Sequence, residues 1–139
     1  MNLKQLALEI AEQAHAGQFD KGGTPYINHP QAVAANFDDE YRYAAALLHD
    51  VVEDTPITLE ELQSRGVPVP VVEAVAVLTK RKGEPYRAYL ERLKANPIAR
   101  DVKKADLQHN CQLSRIPNPT TKDYSRLEKY KDAVTFLAG

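Results

Sequence analysis

The stretch LLHDVVEDT, residues 47–55, sets His49, Asp50, Glu53 and Asp54 among Leu47, Leu48, Val51 and Val52. Burying an isolated carboxylate is expensive unless a positive charge or hydrogen bonds offset it. The nearest basic residue before the acids, Arg42, lies about two helical turns back. A cation from outside the chain is therefore the economical way to neutralise them. Adjacent residues leave a helix about 100° apart, so His49 and Asp50 can grip one cation from two directions. Glu53 and Asp54 follow one turn later on the same flank, where they can orient or deprotonate water.

Two ligands from one helix bind a cation weakly, so other segments should add more. His29, directly before Pro30, and Asp106, within the apolar-patterned VKKADLQHN, are the candidates. Taken singly, His29 reads as a loop or capping histidine and Asp106 as an ordinary solvated or paired acid. Together with His49 and Asp50 they complete a shell of two imidazoles and two carboxylates. That shell suits a divalent first-row metal such as Mn²⁺ or Fe²⁺, and Zn²⁺ is compatible with the ligand types. A metal acidifies bound water enough to make a nucleophile near neutral pH. The single cysteine, Cys111, offers neither a disulfide partner nor a thiolate set for structural zinc, and reads as a packing thiol.

Helical segments must carry these residues. Leu3, Leu6, Ala7, Ile10, Ala11 and Ala14 repeat as one helical face, with Gly17 placed to end it. FDKGGTPYINHP reads as a loop, and Pro30 can open a second helix, PQAVAANF. A third is expected from Asp39 or Glu40 to about Val52, apolar on nearly every side and so central and buried. Thr58 and Glu61 have capping-box spacing before LEELQSRG, closed by Gly66. In VPVPVVEAVAVLT the β-branched residues favour a strand, but Pro68 and Pro70 disfavour a central one, and a helix is expected from about Val69. After the KRKGEP turn come YRAYLERLKAN, then PIARDVKKADLQHNCQLSRI. The proline-rich PNPTT then leads to a last helix carrying Tyr124, Leu127, Tyr130, Val134 and Leu137. The expectation is an all-α bundle of about seven or eight helices, one domain over residues 1–139.

With 18 basic residues against 19 acidic ones the net charge is −1, which gives no bulk attraction to nucleic acid or to anionic membrane. No apolar run approaches the roughly 20 residues that cross a bilayer. The amphipathic N-terminus, with Glu9 and Glu12, does not read as a targeting peptide. A cytoplasmic protein acting on a small molecule is expected.

The order AHAGQFDKGGTPYINHP, ALLHDVVEDT and VKKADLQHN resembles the HD-domain hydrolases of the RelA/SpoT class, in their small stand-alone alarmone-hydrolase form, as in the metazoan SpoT homologue. The resemblance implies an all-α HD-type fold, bound Mn²⁺, and removal of the 3′-pyrophosphate from guanosine tetra- or pentaphosphate. It implies His29, His49, Asp50 and Asp106 as metal ligands and Glu53 and Asp54 as the pair that activates water. Lys21, Asn110, Arg126 and Tyr130 match positions that face the phosphorylated nucleotide. His15 and His109 lie beside apolar stripes and read as hydrogen-bonded core histidines.

Asp20 stands where many family members have an arginine that contacts the base, and an acid cannot serve that role. Another phosphorylated nucleotide, such as a 3′-phosphorylated dinucleotide cofactor or a 5′-mononucleotide, is therefore an alternative substrate. A nucleotide-binding module without turnover is a third reading.

Overall fold

The computed structural model describes residues 2–20, 22–111 and 120–139. Among them the helices are α1 (Leu3–Ala14), α2 (Asn28–Ala34), α3 (Glu40–Leu48), α4 (Val51–Asp54), α5 (Leu59–Ser64), α6 (Val69–Leu78), α7 (Tyr86–Lys94), α8 (Pro97–Asn110) and α9 (Thr121–Ala138). No strand occurs among the described residues; an isolated bridge joins Phe19 to Pro25.

The all-apolar third segment is the centre, as its sequence requires. Residues Ala44 to Leu48 are fully buried, and α3 packs against α1, α2, α6 and α8. Small alanines on α3 let its neighbours approach closely. Leu47 and Leu48 join Ile10, Leu62, Leu93, Leu107 and Leu137 as fully buried large side chains of one continuous core, each contributing about 1.5–3 kcal/mol by leaving water. α9 lies along α8 and α7. Its Leu137 and Ala133 face inward, while Tyr124 of the expected stripe is exposed.

Helix ends follow local chemistry. Asn2 caps α1 in a reciprocal box with Gln5, and Thr120 does the same for α9 with Asp123. Thr58 caps α5 through the Glu61 amide. Gly17 and Gly66 take φ of +81° and +102° just beyond α1 and α5, where only glycine sits without strain. Pro70 falls in the first turn of α6, where its missing N–H leaves nothing unsatisfied.

Boundaries differ from the sequence expectation, α2 ending at Ala34 rather than Phe37 and α8 at Asn110, and two further differences bear on the site. α2 begins at Asn28, ahead of Pro30, because the turn bonds Asn28 N to Pro25 O and His29 N to Tyr26 O already wind the chain. The expected third helix is divided at His49–Asp50, giving nine helical segments among the described residues. His49 Nδ1 lies 2.5 Å from the Ala46 carbonyl, the acceptor that the Asp50 amide would use in an unbroken helix.

Candidate active site

The break in the helix gives Asp50 its direction. Asp50 is the N-cap of α4, yet its side chain makes no capping bond. Instead Oδ2 lies 3.1 Å from His49 Nε2 and accepts the Tyr26 hydroxyl. The loop before α2 thus supplies Tyr26, and the first turn of α2 supplies His29, which is 4% exposed.

α8 brings the fourth group. Asn96 caps it and Pro97 opens it, so the helix runs in register with Ala99, Val102, Ala105 and Asp106 on its buried face. Asp106 Oδ1 is 2.6 Å from His29 Nε2 and 3.2 Å from His49 Nε2. Asp106 Oδ2 is 3.0 Å from the Lys103 ammonium, and Asn110 Nδ2 donates to Oδ1 at 3.3 Å. Ligand atoms of His29, His49 and Asp50 fall within 4.8 Å of one another, and so do those of Asp50, Glu53 and Asp54.

A carbonyl can only accept, so the Ala46 contact holds a proton on His49 Nδ1. In the neutral ring the Nε2 lone pair then points at two carboxylates. Such a nitrogen must either take a second proton or face a cation. Burial opposes the charge on His49, but Asp50 and Asp106 outweigh it and hold the imidazole pKa well above its ordinary value. Burial likewise works against ionising Asp106, while Lys103 and His49 pull it well below the usual carboxylate range. Lys103 is part-buried, and Asp106 keeps its pKa raised against the loss of solvent. Glu53 and Asp54 shift the other way: burial raises both, and the neighbouring Asp50 adds to it. The donor set, two imidazole nitrogens and carboxylates in negative excess, fits a divalent cation.

The structure brings His29, His49, Asp50 and Asp106 together from α2, the α3–α4 junction and α8, with Glu53 and Asp54 alongside. Asn110 joins them through Asp106. Tyr130 is half-buried, and burial raises its hydroxyl pKa while the charges of Arg126, Asp106 and Lys103 also act on it. Arg126 lies 3.7 Å from Asp123 at the start of α9, and its charge acts on the Tyr130 hydroxyl. Lys21 lies outside the described residues. His15 is buried and bonded to Gln18 at 3.0 Å, as expected of a core histidine. Cys111 and His109 are only half-buried, because both sit where α8 ends. His109 Nδ1 reaches His29 Nδ1 at 2.6 Å.

Sequence reasoning passed over Tyr26, Lys103 and His109 as site residues. A signal existed for two of them: Lys103 and His109 lie three residues either side of Asp106 on one helix, and that spacing puts them on its flank. Tyr26 gave none, because a loop residue has no periodicity to read.

Asp20 has a local task. Its Oδ1 accepts the Gly22 and Thr24 amides at 2.9 and 3.0 Å, and its own amide donates to the Thr24 carbonyl. These bonds close the loop that leads to Tyr26 and His29.

Comparison with known proteins places this geometry in context. A family model described as an HD domain matches residues 7–105. The chain is 42% identical over 117 residues to a guanosine-3′,5′-bis(diphosphate) 3′-pyrophosphohydrolase of Haemophilus influenzae, covering 74% of this chain and 17% of that protein. It is 38% identical over 142 residues to the bifunctional (p)ppGpp synthase/hydrolase SpoT of Escherichia coli, covering 85% and 20%. A probable GTP pyrophosphokinase of Mycobacterium leprae is 34% identical over 131 residues, covering 86% and 17%. The chain thus spans one fifth or less of the length of these relatives. A solved structure of a metazoan SpoT orthologue, described as hydrolysing ppGpp, superposes with a TM-score of 0.83 at 27% identity over 100% of this chain and 87% of that one.

Proposed function

We propose that this chain, which belongs to the HD-domain family, is a metal-dependent hydrolase that removes the 3′-pyrophosphate of guanosine tetra- and pentaphosphate. The observation that carries the reading is the convergence of His29, His49 and Asp50 on one point, with Asp106 in contact with both imidazoles and Glu53 and Asp54 beside Asp50. The names of the bacterial relatives and the description of the metazoan structure support the substrate class.

His29, His49, Asp50 and Asp106 would hold the cation, with Mn²⁺ as our choice among divalent first-row metals. Such an ion supplies Lewis-acid polarisation of a phosphoryl oxygen and acidification of water. The protein's own groups do the rest. Glu53 accepts the Lys80 amide at 3.1 Å, which fixes its carboxylate at the end of α4. A carboxyl with a raised pKa takes a proton more readily than an ordinary one, as a general base requires. Asp54 shares that environment. In the reaction, a water oxygen bonds to the phosphorus carried on the ribose 3′-oxygen, and the bond from that phosphorus to the 3′-oxygen breaks. Glu53 or Asp54 takes the water proton and a proton is returned to the 3′-oxygen, which leaves as the hydroxyl of GDP or GTP, while the two phosphoryl groups with the new oxygen leave as pyrophosphate. Tyr26 and Lys103 hold Asp50 and Asp106 in place. Asn110, Arg126, Tyr130 and Lys21 are assigned to the nucleotide.

The test is release of GDP or GTP and pyrophosphate from purified, metal-loaded protein. No turnover with Mn²⁺, Fe²⁺ or Zn²⁺ would overturn the reading. A second reading keeps the site and changes the nucleotide, and Asp20 favours it, because its carboxylate is committed to the loop and offers the base no cation. A panel of 3′-phosphorylated dinucleotides and 5′-mononucleotides separates the two.

A further inference from the structure

His49 and His29 meet the cluster with the same ring atom, Nε2, but differ in what holds the other nitrogen. For His49 the partner is the Ala46 carbonyl, which can only accept. Its Nδ1 is always protonated, and in the neutral ring Nε2 is always bare. For His29 the partner is Nδ1 of His109 at 2.6 Å, with ring centroids 4.8 Å apart and ring planes 30° apart. An imidazole nitrogen can donate or accept, so this contact works in either direction.

Nε2 decides which direction holds. Facing Asp106 Oδ1 at 2.6 Å, a neutral His29 ring donates from Nε2, its Nδ1 is bare, and His109 must donate from its own Nδ1. With a cation at Nε2 the lone pair is needed there. The proton then sits on His29 Nδ1, and His109 must accept with a bare Nδ1 and carry its proton on Nε2. Each ring holds one proton in both states, and only its position changes.

We propose that His109 is a positioning residue for the cation site: by turning from donor to acceptor at Nδ1, it lets His29 present a bare Nε2 when a cation arrives. This rests on the cation-site reading above. Its physical basis is that a metal-binding histidine nearly always donates its other N–H to an acceptor, and losing that acceptor weakens binding. A packing histidine at the end of α8 would serve equally well in either tautomer. The proposed role requires one tautomer in each state.

The experiment has two parts, both on the whole chain and both independent of substrate. Mn²⁺ affinity is measured for wild type, His109→Gln, His109→Leu and Asp106→Asn. The leucine variant should lose roughly 10- to 100-fold in affinity. The glutamine variant, whose amide can both donate and accept, should keep most of it. In parallel, ¹⁵N NMR follows the His109 ring without and with diamagnetic Zn²⁺, and the ring proton should move from Nδ1 to Nε2. The inference is overturned if His109→Leu binds Mn²⁺ as tightly as wild type while Asp106→Asn does not. It is also overturned if Zn²⁺ binds and the His109 tautomer stays unchanged. Failure of wild type to bind any of these ions would bring down the cation-site reading together with the inference.

Discussion

Arg92 meets Glu84 through Nε to Oε2 at 2.7 Å and Nη2 to Oε1 at 2.8 Å, and turns its remaining donors to the Val77 and Thr79 carbonyls. Every charge there has an answer, and Glu84 is pulled down to about 2, chiefly by the Arg92 hydrogen bond. Around Asp106 the count does not close. Asp50, Glu53, Asp54 and Asp106 crowd together with the part-buried ammonium of Lys103 beside Asp106, and Glu53 and Asp54 are pushed up rather than down. Both regions are ionic and partly sheltered, and only one is in balance. The balanced one ties the end of α6 to α7. The unbalanced one holds negative charge that a cation can neutralise, and it is the region with chemistry to do.

Replacing Glu53 with glutamine should widen that contrast most. The isosteric amide keeps a carbonyl to accept the Lys80 amide but cannot take a proton, so turnover should fall by roughly 10²- to 10⁴-fold. Metal content and Tm should stay near wild type. A variant that loses its metal instead would place Glu53 among the ligands and undo its assignment as base.

Lys103→Met probes the imbalance from the other side. Removing one partner of a fully buried ion pair costs on the order of 3–5 kcal/mol; this pair is part-buried, so the loss should fall below that range, with Asp106 left without its ammonium at 3.0 Å. The loss should be full in chelator-treated protein and smaller with Mn²⁺ present, as urea melts of both forms can show. Equal losses in the two forms would mean that the ion does not neutralise this cluster.

Chelation of wild type should lower its stability, because a ligand that binds only the folded state at 100 times its Kd adds about 2.7 kcal/mol. Arg92→Met should lower Tm by a few degrees, read by thermal melts, and leave kcat/KM unchanged. Any change in metal affinity in this variant would show the two regions to be coupled.

Acid gives the smallest and most selective effect. The Glu84 pKa is depressed from 4.5 to about 2, so its contribution is fully present above the unfolded value and disappears as pH falls toward 2. Acid titration of wild type against Glu84→Gln, followed by Tm, should show the difference between the two proteins shrinking across that window.

The sequence by itself determined the helices and where most of them end. Apolar residues at helical spacing, caps such as Thr58 and stops such as Gly17 act within a few residues of chain, so their effect is visible locally. The alanine-rich centre was legible for the same reason: a helix with no polar face has to be buried. His49, Asp50, Glu53 and Asp54 stood out because acids in apolar company need an explanation. The division of the third helix at His49–Asp50 was not legible, because it depends on which carbonyl His49 bonds once packed. Tertiary structure alone decided that Asp106 meets residues 77 and 57 positions earlier in the chain, that Tyr26 holds Asp50, and that His109 reaches back to His29. Those contacts depend on how α2, α3 and α8 cross, and crossing is set by packing of whole surfaces, which no local pattern records.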